Sequence, residues 1–373
     1  MHRTLAYSCL AAVLSATVAG CATSVSAIHD PLYRASAHTS TITATASNSS
    51  AGIQRIRITV TTGEMTDCTE LGGPAQVVPC RRNASTIVHT CTYSGAPGNA
   101  TCTYAQPLGN QAIVTYQAEA EPVTGSTRRT EEITYAGGFP PTAGILRPVW
   151  WHRGQAMAGK IDVGFFPDAD YSGLYTEFTD DMEGIALGAF FNPGQPFAST
   201  YTLFRPSVNL WAAPFGADAQ GCSRSFNALV TPLAAVTDGE AIVHKSDFRD
   251  CAAIALGGAG SVYAKAGDPD WIFVHESGHF LHGQGDEYCC DGGYGTSGGC
   301  ANVFSSQAAC QAAAPGHGAS AANCVQIGTT GAWRNDDGGL ETMEDRTDNS
   351  NWRDDSGYCV TQRFVNCGNG SCY

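Results

Sequence analysis

The chain has 373 residues, with 34 acidic against 20 basic side chains and a formal net charge of −14. That balance excludes a nucleic-acid-binding face built on basic residues, since such a surface repels phosphates. Its length suggests two domains by the usual range of about 100–200 residues each, and no run beyond the N-terminus approaches the ~20 apolar residues of a membrane-spanning helix.

The N-terminus reads as an export signal. Met1 to Arg3 is a short basic start, and Leu10 to Val18 is an apolar run. Val18-Ala19-Gly20-Cys21 fits a lipobox, in which Cys21 becomes the lipidated first residue. Cleavage after Val25-Ser26-Ala27 is the competing reading. Both export the chain, to the outer membrane or cell surface as a lipoprotein or to the medium as a secreted protein. Membrane contact is then expected only through a lipid on Cys21. Cysteine usage fits export. There are 16 cysteines, and an even number remains without Cys9 and Cys21, which reads as a disulfide framework. Cys68, Cys80, Cys91 and Cys102 cluster in one segment and are expected to pair among themselves. Cys222 and Cys251 can close one stretch, and the rest crowd the C-terminal third.

Residues 1–27 therefore read as signal peptide and start of a tether, and residues 28–50, rich in Ser, Thr and Ala, as a flexible linker. Residues 51–138 read as a small all-β sandwich. Gln54 to Thr61 alternates with period two, as a half-buried strand does. Ser85 to Tyr93, Ala100 to Tyr104, Ala112 to Glu119 and Arg128 to Tyr135 read likewise, separated by Gly and Pro turns. No catalytic cluster stands out there; the segment reads as a spacer or a ligand-binding accessory module.

Gly137-Gly138-Phe139-Pro140-Pro141 marks a linker, and from residue 146 to 373 the elements change to α+β or α/β. Lys160 to Phe166 reads as a buried strand. Asp170 to Phe191 reads as an amphipathic helix with Tyr171, Leu174, Phe178, Met182 and Ile185 on one side. Thr200 to Trp211 and Ala252 to Leu256 read as strands. Ser261 to Lys265 alternates and can be either a sheet edge that holds an extended peptide by its backbone or a covered strand.

The chemistry is concentrated in the next helix. Asp268 can cap it, Pro269 suits its first turn, and Gly283 permits its end. His275 and His279 are four apart, which places both imidazoles on one face, one turn from each other. That pair can hold one zinc ion, and Glu276 beside it can take a proton from a water that the metal activates. A catalytic zinc wants three protein ligands and one open position. Asp286 is the candidate third ligand, with Glu287 as its rival. Glu287 can instead orient a ligand histidine, and Tyr288 is a candidate donor to the transition state. His282 lies about 10 Å further along a straight helix, beyond reach of the same ion.

The stretch His275 to Tyr288 resembles the signature of the bacterial IgA metallopeptidase family, HExxHxxxGxxDEY, and a similar pattern occurs in the protease domain of the calcium-activated chloride channel regulators. The resemblance is dense over these fourteen residues and faint over 145–365. It implies a metzincin-like zinc endopeptidase domain behind the sandwich, one catalytic Zn2+ held by His275, His279 and Asp286, and Glu276 as the base. It also implies a methionine turn beneath the metal, for which Met343 is the candidate; relatives often carry Cys before that methionine, and here Thr342 stands there. Asp345, Asp348, Asp354 and Asp355 fit no EF-hand spacing, so a calcium site is without support. The expected partner is a protein or glycoprotein substrate; oligomeric state is not legible. The alternative function is a surface lipoprotein that binds glycan or protein with the zinc machinery silent.

Overall fold

The computed structural model describes residues 23–73, 77–138, 145–152, 160–191, 205–214, 216–219, 224–226, 231–246, 251–253 and 260–267, then short pieces at 273–274, 276–277, 303–304, 308, 311–312, 324–326 and 358–360. Chain contacts divide it into two units, Thr23–Gly283 and Gln284–Tyr373 with the first 22 residues.

The larger unit begins with strands β1 (Ser24–Asp30), β2 (His38–Ser47) and β3 (Ile53–Thr66). The segment expected to be a flexible linker, 28–50, is therefore mostly strand, and that reading is corrected. Its Ser and Thr residues are not filler. β2 buries Ser40, Ile42, Ala44 and Ala46 at every second position and turns its threonines outward. β-branched residues suit a pleated, half-buried surface. Then come β4 (Cys80–Thr92), β5 (Asn99–Leu108), β6 (Ala112–Pro122), β7 (Arg128–Arg129) and β8 (Ile133–Gly137). β1, β2 and β5 form an antiparallel three-stranded sheet. It lies against β3 and β6, and the layer between holds Ile42, Ala44, Ile56, Ile58, Val60 and Ala118. Disulfides Cys68–Cys80 and Cys91–Cys102 pair the four N-terminal cysteines among themselves. Cys251 is also disulfide-bonded.

The remaining strands are β9 (Arg147–His152), β10 (Ile161–Pro167), β11 (Val208–Ala212), a small hairpin of β12 (Ala217–Ala219) and β13 (Arg224–Phe226), then β14 (Gly239–His244), β15 (Cys251–Ala253) and β16 (Gly260–Lys265). Among the described residues one helix of ordinary length, α1, spans Tyr175–Ala186 and continues as a π-turn through Leu187–Phe191. α1 buries Phe178, Met182 and Ile185 as its periodicity predicts, while Leu174 stays 43% exposed just before it.

Eleven strands join in a single sheet, in the order β15-β16-β14-β10-β11-β9-β8-β6-β3-β4 with β7 beside β6. This architecture corrects the expected α+β or α/β arrangement, a metzincin-like domain behind a separate small sandwich. The described residues are mostly strand, and the sheet runs unbroken from the first half into the second. The physical reason lies at Gly137–Pro141. β8 ends at Gly137, β9 starts at Arg147, and the two pair antiparallel, Ile133 with His152 and Thr134 with Trp151. The sheet therefore continues from β8 to β9 across this stretch of the sequence. Further along, β10, β11, β14 and β16 run parallel and β15 antiparallel. β16 lies between β14 and β15, so it is the covered strand; β15 is the sheet's edge among the described residues.

A buried acid sits inside this sheet. Asp162 on β10 is 1% exposed, and its Oδ1 accepts from Asn209 Nδ2 at 2.9 Å and Trp211 Nε1 at 2.7 Å. Burial pushes its pKa up from 3.8 to about 6 against the lowering effect of those two donors. Between these values the folded chain holds a proton that the unfolded chain has lost, so stability falls as pH rises through that window. Asp162→Asn keeps an oxygen for both donors. It is expected to be more stable than the parent at pH 8 by about 2 kcal/mol and to match it near pH 4. Urea midpoints at the two pH values check this; an equal difference at both would place the effect elsewhere.

His29 is the other buried titratable group of note. It stacks on Tyr135 at 3.8 Å and Trp150 at 5.6 Å, and shares a hydrogen bond of 3.1 Å with the Tyr116 hydroxyl. Burial lowers its pKa to about 3, so it is a neutral core group. Just after it, the β1–β2 connection docks on α1. Leu32 N and the Arg34 guanidinium both reach the Glu183 carboxylate, and Arg34 also meets Asp180 at 3.0 Å. Tyr33 is fully buried and donates to Gly138 O at 3.3 Å.

In the second unit, the described residues include β17 (Val303–Phe304), β18 (Cys324–Gln326) and β19 (Tyr358–Val360), an antiparallel sheet in the order β17-β19-β18.

Candidate metal centre

β16 ends at Lys265, Gly267 turns with φ +84, and residues 273, 274, 276 and 277 are helical. These helical residues follow the carboxyl end of β16 in the chain. Phe273 and Val274 fix its inner side, at 1% and 4% exposure. The Phe273 ring stacks on Phe165 of β10 at 5.8 Å and meets Phe190 edge-on at 6.2 Å. Ser277 turns its hydroxyl back to Val274 O at 3.1 Å, which satisfies a polar group on a fully buried residue.

Glu276 is 6% exposed on this helical stretch. A carboxylate placed there is held among other groups rather than solvated, which suits a base and not a surface acid. His275, His279, Asp286, Glu287 and Tyr288 lie outside the described residues, as do His282, Met343, Cys21 and the capping pair Asp268 and Pro269. The donor set of two imidazoles and a carboxylate is the chemistry of catalytic zinc.

The sheet's own buried acids are not further donors to this centre. In-register neighbours on parallel strands share a face, and faces alternate along each strand. Phe165 pairs with Ala241, and Ala241 with Val262, so these three face the helix. Asp162, Glu240 and Ser261 fall at the alternate positions, on the opposite face. There Glu240 accepts from Ser261 Oγ at 2.9 Å, and both are buried. Sequence reading passed over Glu240 and Asp162; a lone acid in an apolar strand was the available signal.

The carboxyl ends of the parallel strands are braced by charge. Asp170 Oδ2 accepts from Lys245 N at 2.7 Å, Ser246 N at 3.0 Å and Ser246 Oγ at 3.1 Å. Lys245 reaches Glu177 at 3.1 Å and lies 5.0 Å from the Tyr171 ring centre. Tyr171 donates to Asp181 at 2.7 Å, and burial with that carboxylate pushes the phenol well above its ordinary value. These contacts order the turns on this rim.

Among the described residues one group has ligand spacing, His89 with Cys91 and Cys102. Its sulfurs form the Cys91–Cys102 disulfide, and metal ligation needs thiolates. Only the reduced chain would offer that set.

No family model matches the chain, and no curated protein matches it. Partial likeness to solved structures extends to the sporulation control protein Spo0M from Bacillus subtilis, at 10% identity over 34% of this chain and 59% of that one, with a TM-score of 0.21. A cycloisomaltooligosaccharide glucanotransferase from Paenibacillus sp. aligns at 11% identity over 38% and 15%, with a TM-score of 0.18. A beta-glucosidase from Listeria innocua aligns at 10% identity over 32% and 17%, with a TM-score of 0.19. The chain spans less than two thirds of each, and likeness at this level carries no argument about what it does.

Proposed function

We propose that the protein is an exported, surface-anchored or secreted zinc-dependent endopeptidase that hydrolyses peptide bonds of extracellular proteins or glycoproteins. The observation that carries this is Glu276, the acid of the His-Glu-x-x-His pattern, buried on helical backbone directly after the parallel strands. The fourteen-residue resemblance to the bacterial IgA metallopeptidases supports the same reading. His275, His279 and Asp286 would hold the ion. Zinc, when bound, supplies a Lewis acid that polarises a peptide carbonyl and brings the pKa of water toward about 7. Glu276 takes the proton of the attacking water and returns it to the leaving amine. Phe273 and Val274 keep the helix in place, and Ser277 leaves no unpaired hydroxyl beneath it. An extended substrate that adds to the sheet would do so along β15, since β16 is covered.

The test uses the purified, oxidised, full-length chain. Expected are one zinc per chain by elemental analysis and cleavage of casein or mucin that a chelator stops and added zinc restores. Binding of either protein without cleavage would point to a binding module instead, and a chain without stoichiometric zinc would end the enzyme reading.

A further inference from the structure

The turns that close the N-terminal strands meet at one end of the two sheets. Residues 48–52 join β2 to β3, residues 93–98 join β4 to β5, and residues 123–127 follow β6. They are tied to one another. Asn48 N donates to Gly98 O at 2.8 Å, Ile53 N to Pro97 O at 2.8 Å, and Val123 N to Gly52 O at 3.2 Å. Gly52 has φ +68, and a Cβ there would stand 2.0 Å from Ala96 O, so only glycine lets these turns touch. Thr23 closes the same end. It accepts from Asn48 Nδ2 at 3.0 Å, and Ser24 then pairs with Ser47.

Charge sets this end apart from the rest of an acidic chain. Residues 22–26, 47–54, 93–101 and 122–127 contain no Asp, Glu, Lys or Arg. The first charges behind them are Arg55 and Glu121, which pair at 2.6 Å, and the exposed Arg128, beside Arg129 paired with Glu119. Val123, 51% exposed, is the one large apolar side chain presented there.

We infer that this uncharged end is the face that rests on the lipid bilayer when Cys21 carries its acyl chains. The inference rests on the lipobox reading of Val18 to Cys21. Cys21 and Thr23 are two positions apart, with Ala22 between them, and an extended chain covers at most about 3.6 Å per residue, so the anchor lies within ~7 Å of this end. Thr23 is 7% exposed and hydrogen-bonded, so it cannot swing out to lengthen the reach. The acyl chains supply the affinity. The neutral turns supply a surface that an anionic leaflet does not repel, as it would repel the acidic remainder.

The experiment places a benzophenone amino acid at Val123 or at Leu71 in the lipidated full-length chain. Leu71 is 52% exposed and lies past the far end of β3, whose fourteen residues span about 46 Å. The protein is reconstituted in vesicles of phosphatidylethanolamine and phosphatidylglycerol and irradiated. Lipid adducts at 123 and none at 71 are expected, and the mass of the N-terminal peptide is read on the same samples. An acylated Cys21 with no adduct at 123, or with equal adducts at both sites, overturns the proposal and leaves the anchor standing. A mature chain that starts elsewhere, without acyl mass, removes anchor and proposal together.

Discussion

Glu276→Ala is expected to bind zinc as the parent does and to lose about 10²–10⁴ in kcat. The reasoning is geometric before it is chemical. On the proposed ligand set Glu276 is adjacent to a ligand position without being one, so its removal would leave the three donors intact. It is also buried, so solvent does not readily stand in for it. Elemental analysis and casein cleavage on the same sample separate the two roles. The partner variant Asp286→Ala should show the opposite pattern, with metal lost first. Tight zinc in Asp286→Ala would move the third ligand to Glu287, and parental cleavage by Glu276→Ala would remove Glu276 from the mechanism.

The largest effect on stability is expected at Arg34. Glu183 has a side chain only 3% exposed, and burial raises its pKa while Arg34 lowers it. Arg34→Ala leaves that carboxylate with its backbone donor at Leu32 and no counter-charge. Breaking a buried pair from one side costs about 3–5 kcal/mol, and the low end applies because Arg34 is itself 34% exposed. The deficit should depend on pH in a definite direction. Without Arg34 the folded pKa of Glu183 rises further above its unfolded value, so the variant loses stability as pH rises through that range. Urea midpoints should therefore differ most at neutral pH and converge as the carboxyl takes up its proton. Adding Glu183→Gln to Arg34→Ala should recover part of the loss, because a neutral amide needs no counter-charge. A pH-independent deficit would mean that the lost packing of the arginine stem dominates.

What was legible in the sequence was local. The period-two alternation of Gln54 to Thr61 marked β3, which buries Ile56, Ile58 and Val60 on one face; β6 was marked likewise, though its residues Ile113 to Tyr116 are buried on both faces. The four clustered cysteines marked two short bridges. What was not legible was whatever depended on partners distant in the chain. Residues 28–50 look like a tether by composition, and only the match of β2 with β5, some sixty residues on, turns them into a sheet. Gly137–Pro141 looks like a domain boundary, and only the pairing of β8 with β9 shows that the sheet continues past it. Ser261 to Lys265 could be covered or open by its own pattern; β15 decides it. At the candidate centre a helix was readable from its apolar run, and residues 273, 274, 276 and 277 are helical. The buried acids of the sheet were not, since burial is a property of neighbours.

The β8–β9 ladder has a consequence for how the molecule can be cut down. A chain shortened to begin at residue 146 would bare the backbone of β9 along a row of unanswered N–H and C=O groups, an open invitation to pair with another copy. The part of the chain from residue 146 on is thus not a detachable cassette. Any trimmed form that stays monomeric and active has to retain the neighbour that stitches it shut.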